Sequence, residues 1–243
     1  MIGDVLMLID FHSHILPGID DGAKDIDMSR IMLEMEKKSG VGKVVLTPHF
    51  YLNSTSLDRF LEMRAGAVEK FAPVADELGI DVIYGAEVLY TKSLADADLS
   101  KLCIGDTKYM MIELPYERLS DTFIREFRSF AGSIFPDIIL ILAHAERYLN
   151  FTSEDSIYRI MDCDMLVQLN CGDLRPFYRH SRFMYDLLDN DLAHLLGTDC
   201  HNTTSRPPDM ETAKKAISRK LSPDCFDRLM HNAQRVFSGE III

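Results

Sequence analysis

The sequence predicts an α/β protein built on one parallel sheet, open or closed into a barrel. Three observations lead there. Short apolar runs alternate with longer amphipathic stretches along the 243 residues. Most short runs are near-continuously apolar rather than alternating, as expected of strands buried on both faces. A ligand-capable side chain follows nearly every run. Repeated strand–helix units imply right-handed crossovers.

Seven runs read as strands: "VLMLID" (5–10), "KVVL" (43–46), "DVIY" (81–84), "YMMIEL" (109–114), "IILILA" (138–143), "MLVQLN" (165–170) and "AHLLGTD" (193–199). Helices fall between them. Met28, Ile31, Met32 and Met35 form an apolar stripe at helical spacing, with Gly40 as the stop. Residues 56 to about 78 form a second helix, bent or broken at Pro73. Residues 121–131 place Phe123, Phe127 and Phe130 on one face. Ser222-Pro223 opens a last helix, as N-cap and first-turn proline, with Phe226, Leu229, Met230 and Ala233 as its buried stripe. The methionines fill core.

Composition narrows the class. Apolar residues make up 47% of the chain, enough for a sizeable core, and no linker, repeat or low-complexity tract divides it. The net charge of −12 disfavours a nucleic-acid partner held through phosphates. Five dispersed cysteines without a C-x-x-C pair fit reduced thiols and a cytoplasmic location. "MIGDVLMLID" lacks the basic start of a signal peptide, and no apolar run reaches membrane-spanning length, so no membrane insertion is expected.

The chemistry sits after the strands. His12 and His14 follow the first, His49 in "TPH" the second and Glu87 in "GAE" the third. Glu113 ends the fourth. "AHAERY" brings His144 and Arg147, and "GTDCHN" brings Asp199 and His201. In a parallel barrel these ends share one face, the face that carries active sites. Five histidines, Glu87, Glu113, Asp199 and either Asp20 or Asp21 make about nine candidate ligands. That is too many for one ion and suits two or three, with a carboxylate such as Glu87 bridging. Asp10 is expected behind the ligands, orienting an imidazole. His180, His194 and His231 sit away from strand ends and read as ordinary structural histidines.

Together "DFHSH", "TPH", "GAEV", "HAERY" and "TDCHN…SRPP" resemble the PHP (polymerase and histidinol phosphatase) superfamily. More closely, they resemble the bacterial manganese-dependent protein-tyrosine phosphatases of capsule and exopolysaccharide biosynthesis. The resemblance spans Asp10 to Met210. It implies a distorted (β/α)7 TIM-like barrel, the PHP fold, as a single domain over residues 1–243. It implies two or three divalent ions, manganese with iron or zinc as alternatives. It assigns His12, His14, Glu87 and Asp199 to one metal, Glu87, Glu113 and His144 to a second, and His49, His201 and, by alignment on "DDG", Asp21 to a third. Arg147 and Arg206 match phosphate-binding positions, so that Arg147, Arg206 and Asp199 form the catalytic set. Cys200 departs from many related sequences. The substrate implied is the tyrosine-rich tail of a bacterial tyrosine kinase.

These residues suit phosphomonoester hydrolysis by metal-activated water, with guanidinium forks on the phosphate oxygens. Rivals are another PHP hydrolase, such as a histidinol phosphatase or nuclease, and a non-catalytic metal-binding regulatory module. A third is internal. Cys200 to Arg206 satisfies the C-x5-R spacing of cysteine-dependent tyrosine phosphatases, but the loop lacks glycine and Pro207-Pro208 follow at once.

Overall fold

A computed structural model describes residues 7–243. The chain runs β1 (Leu8–Ser13), α1 (Ile26–Lys38), β2 (Val41–Leu46), β3 (His49–Phe50), α2 (Leu57–Leu78), β4 (Asp81–Tyr84), β5 (Glu87–Leu89), β6 (Tyr109–Glu113) and α3 (Asp121–Ile134). It continues through β7 (Ile139–Leu142), α4 (Glu154–Met161), β8 (Met165–Asn170), α5 (Ser181–Asp189), β9 (Leu195–Gly197), α6 (Met210–Lys220) and α7 (Pro223–Phe237). The run at 5–10 forms its strand three residues later, on Leu8–Ser13, and positions 5 and 6 lie outside the described residues.

All strand pairs are parallel. One sheet has the order β1-β2-β4 and the other β3-β5-β6-β7-β8-β9. The two are pieces of one wall. β2 and β3 are separated only by Thr47 and Pro48, and β4 and β5 only by Gly85 and Ala86. The ladder continues across the break, Gly85 N–H donating to Leu46 C=O at 2.8 Å and Glu87 N–H to Pro48 C=O at 3.0 Å. Pro48 has no N–H for the ladder, so regular pairing lapses there. With each interrupted pair counted once, seven strands line the wall. It closes where Asp199 N–H donates to His12 C=O at 2.7 Å and His14 N–H to Cys200 C=O at 3.0 Å. The fold is the distorted TIM-like barrel expected.

Both faces of the strands are buried, which is why they read as unbroken apolar runs. Ile9, Phe11, Val45, Met111, Ile141, Leu166 and Leu195 pack together inside, with Ala233 and Val236 of α7. Their neighbours Val44, Leu46, Met110, Ile112, Leu140 and Leu142 meet the surrounding helices through Met32, Phe71, Phe127, Ile157, Leu187 and Leu229.

Two helical expectations need correction. α1 buries Ser29, Met32, Leu33 and Glu36, whereas Ile31 is 49% exposed. The helix is turned because two polar groups take inward positions. Ser29 Oγ donates to Ile15 C=O at 2.6 Å, and Glu36 reaches the Asp10–Thr198 pair. α2 is not broken at Pro73. Pro73 lies on the exposed face while Phe71, Val74 and Ala75 hold both adjoining turns on the core. On a solvent face, loss of one helical hydrogen bond is tolerated, since water satisfies the freed carbonyl.

The turned stripe sets a test. Met32→Ala should cost about 2–5 kcal/mol in urea unfolding, as a large-to-small core change. Ile31→Ala should stay within roughly 0.5 kcal/mol. Equal losses at both positions would restore the stripe expected from sequence.

Candidate metal centre

The barrel delivers the candidate ligands to one mouth. β1 supplies His12 and His14 by a change of parity: Ile9 and Phe11 belong to the interior core, and the β1–β2 register then shifts between Asp10 and Ser13. Gly197 in β9 makes room for this. A Cβ there would stand 2.4 Å from His12 Cβ and 2.9 Å from His12 N. Gly22 does the same beneath His14, where a Cβ would lie 2.1 Å from its carbonyl oxygen. His144 and Asp199 reach the mouth on left-handed backbone, with φ of 31° and 51°. For non-glycine residues that conformation costs about 1–3 kcal/mol each and clusters at functional sites.

Hydrogen bonds fix the imidazoles. Gln168 Oε1 accepts the backbone N–H of His144 at 2.9 Å, so its oxygen end is defined, and it lies 3.0 Å from His12 Nδ1. Asp20 Oδ2 accepts His49 N–H at 3.0 Å and meets His14 Nδ1 at 2.7 Å. Both Nδ1 atoms are therefore donors, and both Nε2 atoms turn inward. They face each other at 3.2 Å. From the same space, Glu87 Oε2 lies 3.4 Å from His12 and 3.3 Å from His14, and Asp199 Oδ1 lies 3.7 and 3.4 Å away. Two imidazole nitrogens and two carboxylate oxygens this close need positive charge between them, a proton or a metal ion, and against the effect of burial the carboxylates accordingly raise both imidazoles. Four donors at about 2.0–2.2 Å from one point in tetrahedral array would be spaced roughly 3.3–3.6 Å apart. The five edges seen run from 3.2 to 3.7 Å; His12, His14 and Glu87 form the compact part of the set, and Asp199 lies on its arginine side.

Glu87 is wholly buried and splits its oxygens. Oε1 meets His144 Nε2 at 2.6 Å, and Oε2 lies 2.9 Å from His49 Nδ1 without hydrogen-bond alignment. His144 Nε2 is also 3.5 Å from Glu113 Oε1. Beyond them, Asp21 Oδ1 lies 3.4 Å from His49 Nε2 and 3.3 Å from His201 Nε2. Donor atoms of His14, Asp21, His49 and His201 fall within 4.8 Å of one another, as do those of His12, His14 and Glu87, and those of His49, Glu87 and Glu113. Asp21 thus faces the donors, while Asp20 sits behind His14. His49 Nδ1, Glu87 Oε2 and His201 Nε2 are buried without hydrogen-bond partners. A donor set with such atoms fits divalent ions.

Charge follows burial. Burial holds the His144 imidazole down at about 4, and burial with His14 and Arg206 holds His201 at about 3, leaving both neutral and able to ligate. Burial and the neighbouring Glu87 push Glu113 up to about 7. Burial would raise Asp199, but His12, His14 and Arg147 outweigh it and keep the carboxylate well below its usual range. Asp199 is clasped by Arg147 Nη1 at 2.7 Å, by Arg206 Nη2 at 2.7 Å and by Asn170 Nδ2 at 2.9 Å. Beside the arginines opens a cavity of about 520 Å³ with Tyr51, Tyr116, Phe151 and Tyr178 in its wall.

Residues 8–238 match the family model for capsular polysaccharide synthesis, CpsB/CapC. The chain belongs to the CpsB/CapC family. Over 97% of its length it is 31% identical to the whole of the tyrosine-protein phosphatase CpsB of Streptococcus pneumoniae. It is 25% identical to 93% of the tyrosine-protein phosphatase YwqE of Bacillus subtilis, again over 97% of the chain. Its fold superposes with a TM-score of 0.82, at 21% identity, on a crystal structure from work on YwqE and the pneumococcal CpsB, described as unique metal-dependent tyrosine phosphatases; 97% of this chain and 96% of that one are covered. The phosphotriesterase homology protein of Escherichia coli, complexed with phosphate, shares the fold at a TM-score of 0.57 and 12% identity.

In this CpsB/CapC chain one sequence expectation is corrected and one rival loses ground, as the sequence argued. Asp10 touches no imidazole. Its oxygens accept Thr198 N–H at 2.8 Å, Thr198 Oγ1–H at 2.6 Å and His12 N–H at 3.2 Å, tying β1 to the segment after β9. The orienting partners are Gln168 and Asp20. Gln168 and Glu36 were missed, although a glutamine inside the apolar run "MLVQLN" is a signal for a buried polar role, and Asn170, which ends that strand, bonds Asp199 instead of joining a donor group. Cys200 does not form a phosphate loop. Its thiol is fully buried and pushed up by burial, then by Glu36 and Asp10, so it stays protonated. The N–H groups of Thr204, Ser205 and Arg206 are taken up by Asn202 Oδ1 at 2.9, 2.7 and 3.0 Å. His180, His194 and His231 stay outside the donor groups, His194 Nδ1 accepting Val167 N–H at 3.0 Å.

The close approach at Gly197 is directly testable. Gly197→Ala should lower stability by about 1–3 kcal/mol in denaturant titration, since β9 must move from His12. An alanine variant as stable as the parent would mean that β1 and β9 are further apart than described.

Proposed function

We propose that the protein is a metal-dependent phosphomonoesterase that dephosphorylates phosphotyrosine on a bacterial tyrosine kinase of polysaccharide biosynthesis. One observation carries this. Two guanidiniums, Arg147 and Arg206, close over the carboxylate that belongs to the cation-seeking donor set. A cation site and two forks for anionic oxygens at one mouth suit a phosphate ester. The names of the relatives support the same activity.

His12, His14, Glu87 and Asp199 would hold one ion, Glu87, Glu113 and His144 a second, and His49, His201 and Asp21 a third, manganese, iron and zinc each suiting a mixed imidazole–carboxylate set. Divalent ions bound there would supply Lewis acidity to the phosphoryl group and to water. The remaining work falls to the chain. Arg147 and Arg206 orient the phosphate. Asp199 holds both arginines beside the ligands. Gln168 and Asp20 keep His12 and His14 in the ligating tautomer. The aromatic wall of Tyr51, Tyr116 and Phe151 receives the tyrosyl ring, which favours aryl over alkyl phosphates. Five dispersed cysteines, none bridged to another, support a cytoplasmic location.

The deciding experiment pairs metal analysis with phosphotyrosine-peptide turnover. Purified protein should carry two or three ions and lose activity to chelator, and His12→Ala or Glu87→Ala should lose metal and activity together. A fully active metal-free His12→Ala protein would end the proposal. Arg147→Ala and Arg206→Ala should keep their metal but lower kcat/KM about ten- to a hundredfold each, the loss of a charge-assisted hydrogen bond to phosphate. Cys200→Ser should retain most activity; its complete loss with metal still bound would restore the cysteine mechanism.

A further inference from the structure

The loop between Asp173 and α5 reverses the sign of the surface beside this cavity. Acidic residues outnumber basic ones by 38 to 26 in the chain, yet none stands between Asp173 and Asp186, while Arg175, Arg179, His180 and Arg182 do. Arg175, Pro176, Phe177, Arg179 and Arg182 are exposed. Among the described residues neither Arg175 nor Arg179 meets a carboxylate within 4.0 Å, and Arg182 reaches Asp186 only at 3.8 Å.

Phe177 is the second observation. It is 103% exposed, about twice any other large apolar side chain described, and its backbone is left-handed at φ 65°. That conformation is a genuine outlier for a bulky residue. Nothing in the core gains from it, so the ring is presented rather than packed. The loop is also fastened to the cavity. His180 Nε2 lies 3.1 Å from Asn150 Oδ1, Asn150 and Tyr178 both line the cavity wall, and the Arg175 guanidinium sits 5.8 Å from the Tyr178 ring. An adjoining hollow of about 240 Å³ joins Arg175 to Arg147 and Arg206.

We infer that this loop is a docking surface for the acidic polypeptide that flanks the phosphotyrosine. Arg179 and Arg182 attract its carboxylates, and Phe177 takes an apolar or aromatic side chain. Charge complementarity selects this occupant: a patch of exposed arginines, two of them without a carboxylate within 4.0 Å among the described residues, in a chain of net charge −12 recruits an acidic segment and disfavours basic ones. The inference rests on the phosphatase proposed above, and deepens it by giving the substrate's flanks a chemistry.

The metal-loaded full chain is tested with p-nitrophenyl phosphate and with two phosphotyrosine peptides, one flanked by Asp and Glu and one by neutral residues. The acidic peptide should show the lower KM. Arg179→Glu with Arg182→Glu should raise that KM roughly three- to tenfold, leave kcat and p-nitrophenyl phosphate turnover unchanged, and do so less as salt screens the charges. Phe177→Gly, which suits the left-handed backbone and removes the ring, should raise KM for both peptides. Fluorescence anisotropy of the labelled acidic peptide without phosphate reads docking apart from turnover, so a protein without phosphatase activity still decides it. Unchanged peptide KM and anisotropy in all variants would overturn the inference. So would variants that stop sedimenting with phosphatidylglycerol vesicles while binding the peptide as before, since the patch would then serve a membrane.

Discussion

Two carboxylates buried at the mouth of the barrel set the terms for everything around them. Glu87 is fully enclosed and Asp199 is 2% exposed. A buried anion must be met by positive charge and hydrogen-bond donors, or it takes up a proton. Four imidazoles therefore surround Glu87, and two guanidiniums and an amide surround Asp199. A parallel barrel alone brings side chains from positions 12 to 206 to one opening, because every strand ends on the same face. The left-handed backbones at His144 and Asp199 are the strain that this convergence exacts.

The same constraint organises the layer behind the donors. Asp10, Glu36 and Thr198 form a buried group beneath β1 and β9. The Glu36 carboxyl is pushed well above its ordinary range, by burial first and by Asp10 second, and burial raises Asp10 as well, so ionisation of either acid is disfavoured beside the other. The group also pins α1, which turns so that Glu36 rather than Ile31 faces inward. A helix that sequence periodicity would call amphipathic is thus rotated by a polar contact made elsewhere in the chain.

The strands and the candidate ligands were legible in the sequence because each depends on local pattern. Unbroken apolar runs mark strands covered on both sides, and the ligands follow them at once. What was not legible depends on contacts between distant segments. β3 and β5 are too short to stand out, and appear only as continuations of neighbours across Pro48 and Gly85. Asp20 and Asp21 are adjacent and identical in type; only the fold turns one onto His14 and the other toward His49 and His201. Gln168 lies 156 positions from the imidazole it orients. The exposure of Ile31 and the continuity of α2 through Pro73 were decided by tertiary packing, which overrides periodicity and propensity.

An acidic protein that handles an anionic ester faces repulsion at long range and needs attraction at short range. The structure resolves this by geography. Carboxylates inside the mouth gather the charges that a phosphate requires, through Arg147, Arg206 and the donor set, while the chain as a whole carries a net charge of −12. Between these zones lies the loop carrying Arg175, Arg179 and Arg182, with no acidic residue between Asp173 and Asp186. Local potential near a cleft is set by the nearest charges, because salt screens those beyond about 10 Å. A polypeptide approaching the mouth therefore meets the arginines of that rim before it meets the net charge of the chain.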